Sequence, residues 1–184
     1  MLPLGETNRT TLDMKVFLLP LFLLLPFIAF CQSNSKIDSA LGYKLEIPAW
    51  LQMKETGNTN SFGGTLPAVN GIENVILITG FPKADFKSFE DFQTIYLTGN
   101  KFGQPTKYSA AHIWYGQKEL VKIPNGVEQR VFILWKNLIY HDKYVLLETN
   151  KSFLWIQFVA TPETYDINIT KFEEFMSRLK IDTF

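Results

Sequence analysis

Ser152-Phe153-Leu154-Trp155-Ile156-Gln157-Phe158-Val159-Ala160 is the stretch whose reading decides the fold. In an extended chain successive side chains point to opposite faces, so Leu154, Ile156 and Phe158 share one face while Phe153, Trp155 and Val159 share the other. Both faces are apolar, so both must be covered, and the segment predicts a strand inside a layered fold.

The flanks supply the layers. Upstream, strands are expected over about 110–122, 127–136 and 139–148, separated by turn signals at Pro124-Asn125-Gly126, around Asn137 and at Thr149-Asn150-Lys151. Downstream, Thr161-Pro162-Glu163 opens a helix in which Ile169, Phe172, Phe175, Met176 and Leu179 form an apolar stripe. Further back, Ser88-Phe89-Glu90-Asp91 offers an N-cap with acids in the first turn, and Phe89, Phe92, Ile95 and Tyr96 mark one face of a helix over 88–98 that Gly99 ends. Asn74-Val75-Ile76-Leu77-Ile78-Thr79-Gly80 reads as a central strand covered on both faces. Tyr43-Lys44-Leu45-Glu46-Ile47-Pro48 reads as a first strand with Tyr43, Leu45 and Ile47 inward. Residues 54–71 and 101–108 read as loops, with 58–64 the most flexible part. No repeat is visible at solenoid periods. These elements make an α+β domain, a mostly antiparallel β-sheet flanked by helices as an α/β/α sandwich.

The amino terminus carries an address. Lys15 precedes an apolar run over 16–30 that ends in Ala29-Phe30-Cys31-Gln32-Ser33, the layout of a secretory signal peptide. The run is shorter than the roughly 20 residues a membrane-spanning helix needs, and Pro20 and Pro26 interrupt it. Met14 reads as the start, with residues 1–13 an upstream mis-assignment, 14–31 the leader, 32–39 a short flexible linker and 40–184 one globular domain. Cys31, the single cysteine, leaves two readings open. With Ala29 and Cys31 as the small residues at the cut, the mature chain begins at Gln32 and is soluble. Alternatively Ile28-Ala29-Phe30-Cys31 resembles a lipoprotein box, and the chain is membrane-anchored through Cys31. The bulky Phe30 favours the first. Neither permits an intrachain disulfide, so the fold stands on its core.

Composition narrows the partners. Eighteen basic and 18 acidic residues balance, and losing Glu6, Arg9, Asp13 and Lys15 with the leader keeps the balance. A nucleic-acid partner, which would call for a basic excess or stripe, is not expected. The chain is rich in rings, with 16 Phe, 4 Trp and 7 Tyr, which can stabilise a core that has no disulfide.

Gly42, Tyr43, Pro48 and Trp50 form a Gly-Tyr-x-x-x-x-Pro-x-Trp opening. With the apolar strand, the helix, the hairpin strands and the closing Phe172-x-x-Phe175-Met176-x-x-Leu179 segment, the order over about 40–182 resembles the PsbP-like superfamily. That group includes an extrinsic subunit of photosystem II, a Ran-binding import factor and DcrB-type bacterial envelope proteins. The resemblance implies a non-catalytic partner or chaperone, a bacterial envelope setting and no residue set to carry over.

Motifs for chemistry are sparse. His112 and His141 are the only histidines. His141-Asp142 could pair an imidazole with a carboxylate only across a bend, since neighbours on a strand face opposite ways, and the competing reading is a polar turn at a strand end. Glu90-Asp91 and Glu173-Glu174 sit about 100° apart on helices and read as solvated faces. Phe62-Gly63-Gly64-Thr65 lacks the lysine and spacing of a phosphate loop. No catalytic, cofactor or metal residues are expected, and no enzyme activity. Trp114, Tyr115, Trp135 and Tyr140 are the candidate contact surface, because Tyr and Trp combine area with a polar handle. The expected function is a monomeric, exported interaction module for a secreted or envelope protein. The alternative is a carrier of a small apolar or lipidic ligand, which would hold a dry pocket of roughly a few hundred Å³.

Overall fold

The computed structural model describes residues 35–101, 103–106, 109–117 and 119–182, with the backbone alone over 105–106 and 109–117. The leader and the processing residues Ala29, Cys31 and Gln32 lie outside the described residues. The chain runs β1 (Ser35–Asp38), β2 (Tyr43–Glu46), β3 (Gln52–Lys54), β4 (Ser61–Thr65), β5 (Val75–Pro82), α1 (Phe89–Gln93, continued by a π turn over Thr94–Thr98), β6 (Pro105–Thr106), β7 (Ser109–Gln117), β8 (Val121–Ile123), β9 (Gly126–Trp135), β10 (Leu138–Glu148), β11 (Ser152–Ala160), α2 (Pro162–Ser177) and β12 (Leu179–Ile181).

The large sheet has the order β3-β4-β5-β11-β10-β9-β7-β6, with β8 also paired to β9, and every pairing is antiparallel. A second, smaller sheet, β1-β2-β12, was not foreseen. It packs with α2 on one face of the large sheet, where Tyr43, Leu45, Ile76, Ile78, Leu154, Ile156, Phe158, Phe172 and Phe175 form one core. On the other face α1 and its π turn bring Phe92, Tyr96 and Leu97 onto Val131, Tyr144, Leu146, Phe153 and Trp155. The two-faced strand is therefore β11, and its alternate residues feed two separate cores. The α+β layered architecture stands as the sequence implies.

Several local expectations change. Ser61-Phe62-Gly63-Gly64-Thr65, expected as flexible loop, is the buried strand β4. A Cβ on Gly63 would meet the Ile76 carbonyl oxygen at 2.5 Å, and one on Gly64 would run into Gln52, so these glycines permit close strand approach rather than mobility. Ser35–Asp38, expected within a linker, pairs with β2. Strand β5 is fully buried on one face, through Ile76 and Ile78, and only partly covered on the other, where Val75 is exposed and Leu77, Thr79 and Phe81 are half-buried. The reason is that α1 reaches only its Phe81 end. The expected strand over 110–122 divides into β7 and β8, and Leu179 leaves the helical stripe to start β12.

Polar staples join the layers. Asn74, fully buried at the start of β5, donates to Thr164 Oγ1 (2.8 Å) and accepts from Asn168 Nδ2 (2.7 Å), which locks α2 to the sheet. Thr149 Oγ1 (2.9 Å) and Ser152 Oγ (2.6 Å) both donate to the Leu41 carbonyl and tie the β10–β11 turn to the small sheet. Gly42 sits at φ 74° against this turn, where a side chain would strike Asn150 and Thr149. Helix α1 has the cap its sequence announces: Ser88 Oγ accepts from Asp91 N (3.2 Å), and Asp91 Oδ2 accepts from Lys87 N (3.2 Å). Ser88→Ala is expected to lower stability by about 1 kcal/mol, read from the midpoint of urea unfolding.

Candidate functional site

The site grows from the β9–β10 hairpin. Lys136 and Asn137 take φ of 48° and 62°, the left-handed pair that a two-residue hairpin turn requires, and this sets the register of everything after it. Tyr140 pairs with Ile133, Asp142 with Val131 and Val159, and Tyr144 with Gln129 and Gln157. Period-two alternation then puts Ile133, Trp135, Tyr140, Asp142, Tyr144, Gln157 and Val159 on the α1 side of the sheet. Tyr96 packs on Trp155 (ring centroids 5.0 Å apart) and Trp155 on Tyr144 (5.1 Å). Beyond that row, these seven residues line a cavity of about 110 Å³. Trp135 and Tyr140, ring centroids 6.1 Å apart, form part of its wall.

Asp142 belongs to this lining. It is 2 % exposed, and its Oδ1 has no hydrogen-bond partner among the described residues. Burial pushes its carboxyl well above the usual carboxylate range, and a hydrogen bond with Tyr144 offsets part of that push. The group therefore holds its proton at a pH where an exposed aspartate has lost it.

His141 faces the other way. Its Nδ1 accepts from Arg130 Nη2 at 2.8 Å, and the Arg130 guanidinium lies 4.1 Å over the Tyr165 ring and 5.4 Å over Phe132. Burial and then the Arg130 charge lower the His141 pKa, against smaller opposing effects of Asp166 and Glu163. His141 and Asp142 are thus no catalytic pair, as the alternation requires. Nor are they a polar turn at a strand end, since both sit within β10 and are inserted into opposite layers.

Of the four expected contact residues, Trp135 and Tyr140 come together in the cavity wall. Trp114 and Tyr115 lie in β7, where Trp114 pairs with Ile133 and a register shift follows before Gly116; their side chains lie outside the description. Sequence reasoning missed Tyr144 and Gln157 and weighed Asp142 only as a partner for His141. The available signal was an acid on the inward side of the alternating row Tyr140, Asp142, Tyr144, Leu146. Among the described residues no three His, Cys, Asp or Glu side chains cluster as a metal site, and no helix is long and apolar enough to cross a membrane.

No protein-family model and no curated protein matches the chain. Solved structures do. The cyanobacterial PsbP (CyanoP) of Synechocystis aligns with a TM-score of 0.53 at 12% identity, covering 80% of this chain and 91% of that one. A Pseudomonas aeruginosa protein of unknown function aligns at 0.45 with 16% identity, over 72% of this chain and 87% of that one. A Bacteroides thetaiotaomicron chain aligns at 0.46 with 14% identity, over 83% of this chain and 49% of that one. The likeness to CyanoP shows that the fold is PsbP-like.

Proposed function

We propose that this PsbP-like chain is a non-catalytic binding module, exported by residues 14–31 and released at Gln32, that engages a secreted or envelope protein through the end of the sheet at the β9–β10 hairpin. The observation that carries it is the apolar tip. Leu138 is 57% exposed and Ile139 38% exposed, beside a groove of about 300 Å³ that Thr161, Pro162 and Glu163 close from the start of α2. Clustered exposed apolar side chains of this kind mark interaction sites more often than isolated ones do.

A photo-cross-linking residue at position 138 or 139, in cells expressing the full chain, is expected to give the same discrete adduct from both positions. Position 173, exposed on α2, should give none. An identical adduct pattern at all three positions would overturn the reading. The mature mass is expected to correspond to 32–184; a chain retaining its leader in the cytoplasm would contradict export, and a diacylated Cys31 would make the module membrane-anchored.

A second reading, a small-ligand carrier, is favoured by the cavity. At about 110 Å³ with an acid in its lining, it falls short of the dry pocket of roughly a few hundred Å³ expected for a lipid carrier. The ligand it suits is correspondingly small.

A further inference from the structure

We propose that the cavity walled by Trp135 and Tyr140 binds a small organic ammonium ion, with Asp142 as its counter-ion. The inference rests on the carrier reading and names its ligand class.

The first ground is the orphaned atom. Buried polar atoms in folded proteins nearly always have a partner, and Asp142 Oδ1 is a buried acceptor with none, in the lining of a space larger than one water needs. No described group of the chain supplies that partner, which leaves the place to a ligand. The second ground is the wall. Trp135, Tyr140 and Tyr144 carry rings whose faces are electron-rich, and such rings attract cations, methylated ammonium above all. Trp135 already does so: Lys136 Nζ stands 4.6 Å from its ring centroid. Ile133 and Val159 add apolar surface that suits the methyl groups of an alkylammonium and gives nothing to a hydrated metal ion.

Other ligand classes fit less well. An anion would meet electron-rich ring faces and no cationic group in the lining. Calcium wants six to eight oxygen ligands, whereas Asp142, Gln157 and two tyrosine hydroxyls offer far fewer. A cavity of roughly 150 Å³ holds one benzene, so about 110 Å³ takes the trimethylammonium head of such a cation and leaves the rest of it outside the open mouth.

The charge pattern adds a signature. Among the described side chains, the titratable groups facing Asp142 are Tyr140 and Tyr144 of its own strand; β9 contributes Gln129, Val131, Ile133 and Trp135, and β11 contributes Gln157 and Val159, none of them ionisable. Among the described residues the cavity lining itself holds no cation, and Lys136 Nζ stands against the Trp135 ring without belonging to that lining. A bound ammonium would favour the carboxylate form, so binding should release a proton and tighten as pH rises.

The test compares choline with 3,3-dimethylbutan-1-ol, which has the same shape without the charge, by calorimetry and tryptophan fluorescence on the mature chain. Choline is expected to bind at least tenfold more tightly, with a proton released, measured by repeating the titration in buffers of different ionisation heat. Asp142→Asn should erase the preference, and Trp135→Leu at the cavity wall should weaken choline about fivefold while the circular dichroism spectrum stays unchanged. Equal binding of the two probes, choline affinity untouched by Asp142→Asn, or no binding of either probe would each overturn the proposal, the last leaving a cavity filled by water only. The wild-type probe comparison holds even if a variant fails to fold. A negative result here leaves cross-linking at positions 138 and 139 as it was, so the two proposals fail separately.

Discussion

Phe92→Ala is expected to destabilise the protein by about 3–5 kcal/mol, a large share of the roughly 5–15 kcal/mol that holds a domain folded. The ring is fully buried and is the hub of the aromatic layer on the α1 face. Its centroid lies 4.8 Å from Tyr96, 5.0 Å from Phe86, 5.2 Å from Phe153, 5.5 Å from Phe81 and 6.2 Å from Phe89. Truncation removes its own transfer energy and also leaves a void, because five neighbouring rings held by the sheet, the helix and the loop before it cannot all collapse inward. Helix α1 is too short to persist without this anchor, since isolated helices of a few turns are marginal in water. Urea unfolding followed by far-ultraviolet circular dichroism measures the loss, and near-ultraviolet dichroism reports the ring packing directly. Phe89→Ala, at the partly buried edge of the same cluster, is expected to cost less than half as much. A cost below about 1 kcal/mol for Phe92→Ala would mean that α1 does not dock as described.

The helix that carries Phe92 was legible because its signals are local: a serine cap, two acids in the first turn and rings at helical spacing. Strand β11 was legible for a similar reason, since apolar residues on both faces of a nine-residue run admit few other interpretations. What escaped depends on partners distant in sequence. Gly63 and Gly64 look like loop residues, yet they are strand because Ile76 and Gln52 approach too closely for any side chain. Leu179 continues the helical stripe on paper, but pairing with Leu45 draws it into β12. The site divides in the same way. Aromatic density pointed to Trp135 and Tyr140 without help from the fold. Asp142 gave no such hint, because its burial is imposed by β9 and β11 on either side and its neighbour His141 was the more conspicuous residue. A chemically consequential group was thus concealed in a strand where only the alternation with Tyr140 and Tyr144 marks its face.

That burial has a measurable consequence: the stability of Asp142→Asn relative to the wild type is expected to be lowest at pH 3 and to rise with pH. Below the ordinary aspartate pKa of about 3.9, the carboxyl is protonated in both folded and unfolded chains and contributes no difference. Above it, the unfolded chain releases the proton while the folded chain retains it, because burial raises the folded pKa. The folded state then binds more protons than the unfolded state, so stability falls with increasing pH, by about 1.4 kcal/mol per unit for one group, until the folded carboxyl itself titrates. Asparagine cannot ionise and removes this slope, at the fixed cost of placing an amide where Oδ1 already lacks a partner. Urea unfolding of both proteins at pH 3, 5 and 7 gives the comparison. Parallel pH dependences would show that Asp142 is ionised in the folded protein, and would remove the burial on which its orphaned oxygen was argued. Adding choline supplies the converse check: a cation in the cavity stabilises the folded carboxylate, so saturating ligand should flatten the wild-type slope and leave the variant unmoved. A neutral occupant would stabilise the wild type equally at every pH, which makes the slope, rather than the affinity, the sharper witness to the charge of whatever the cavity holds.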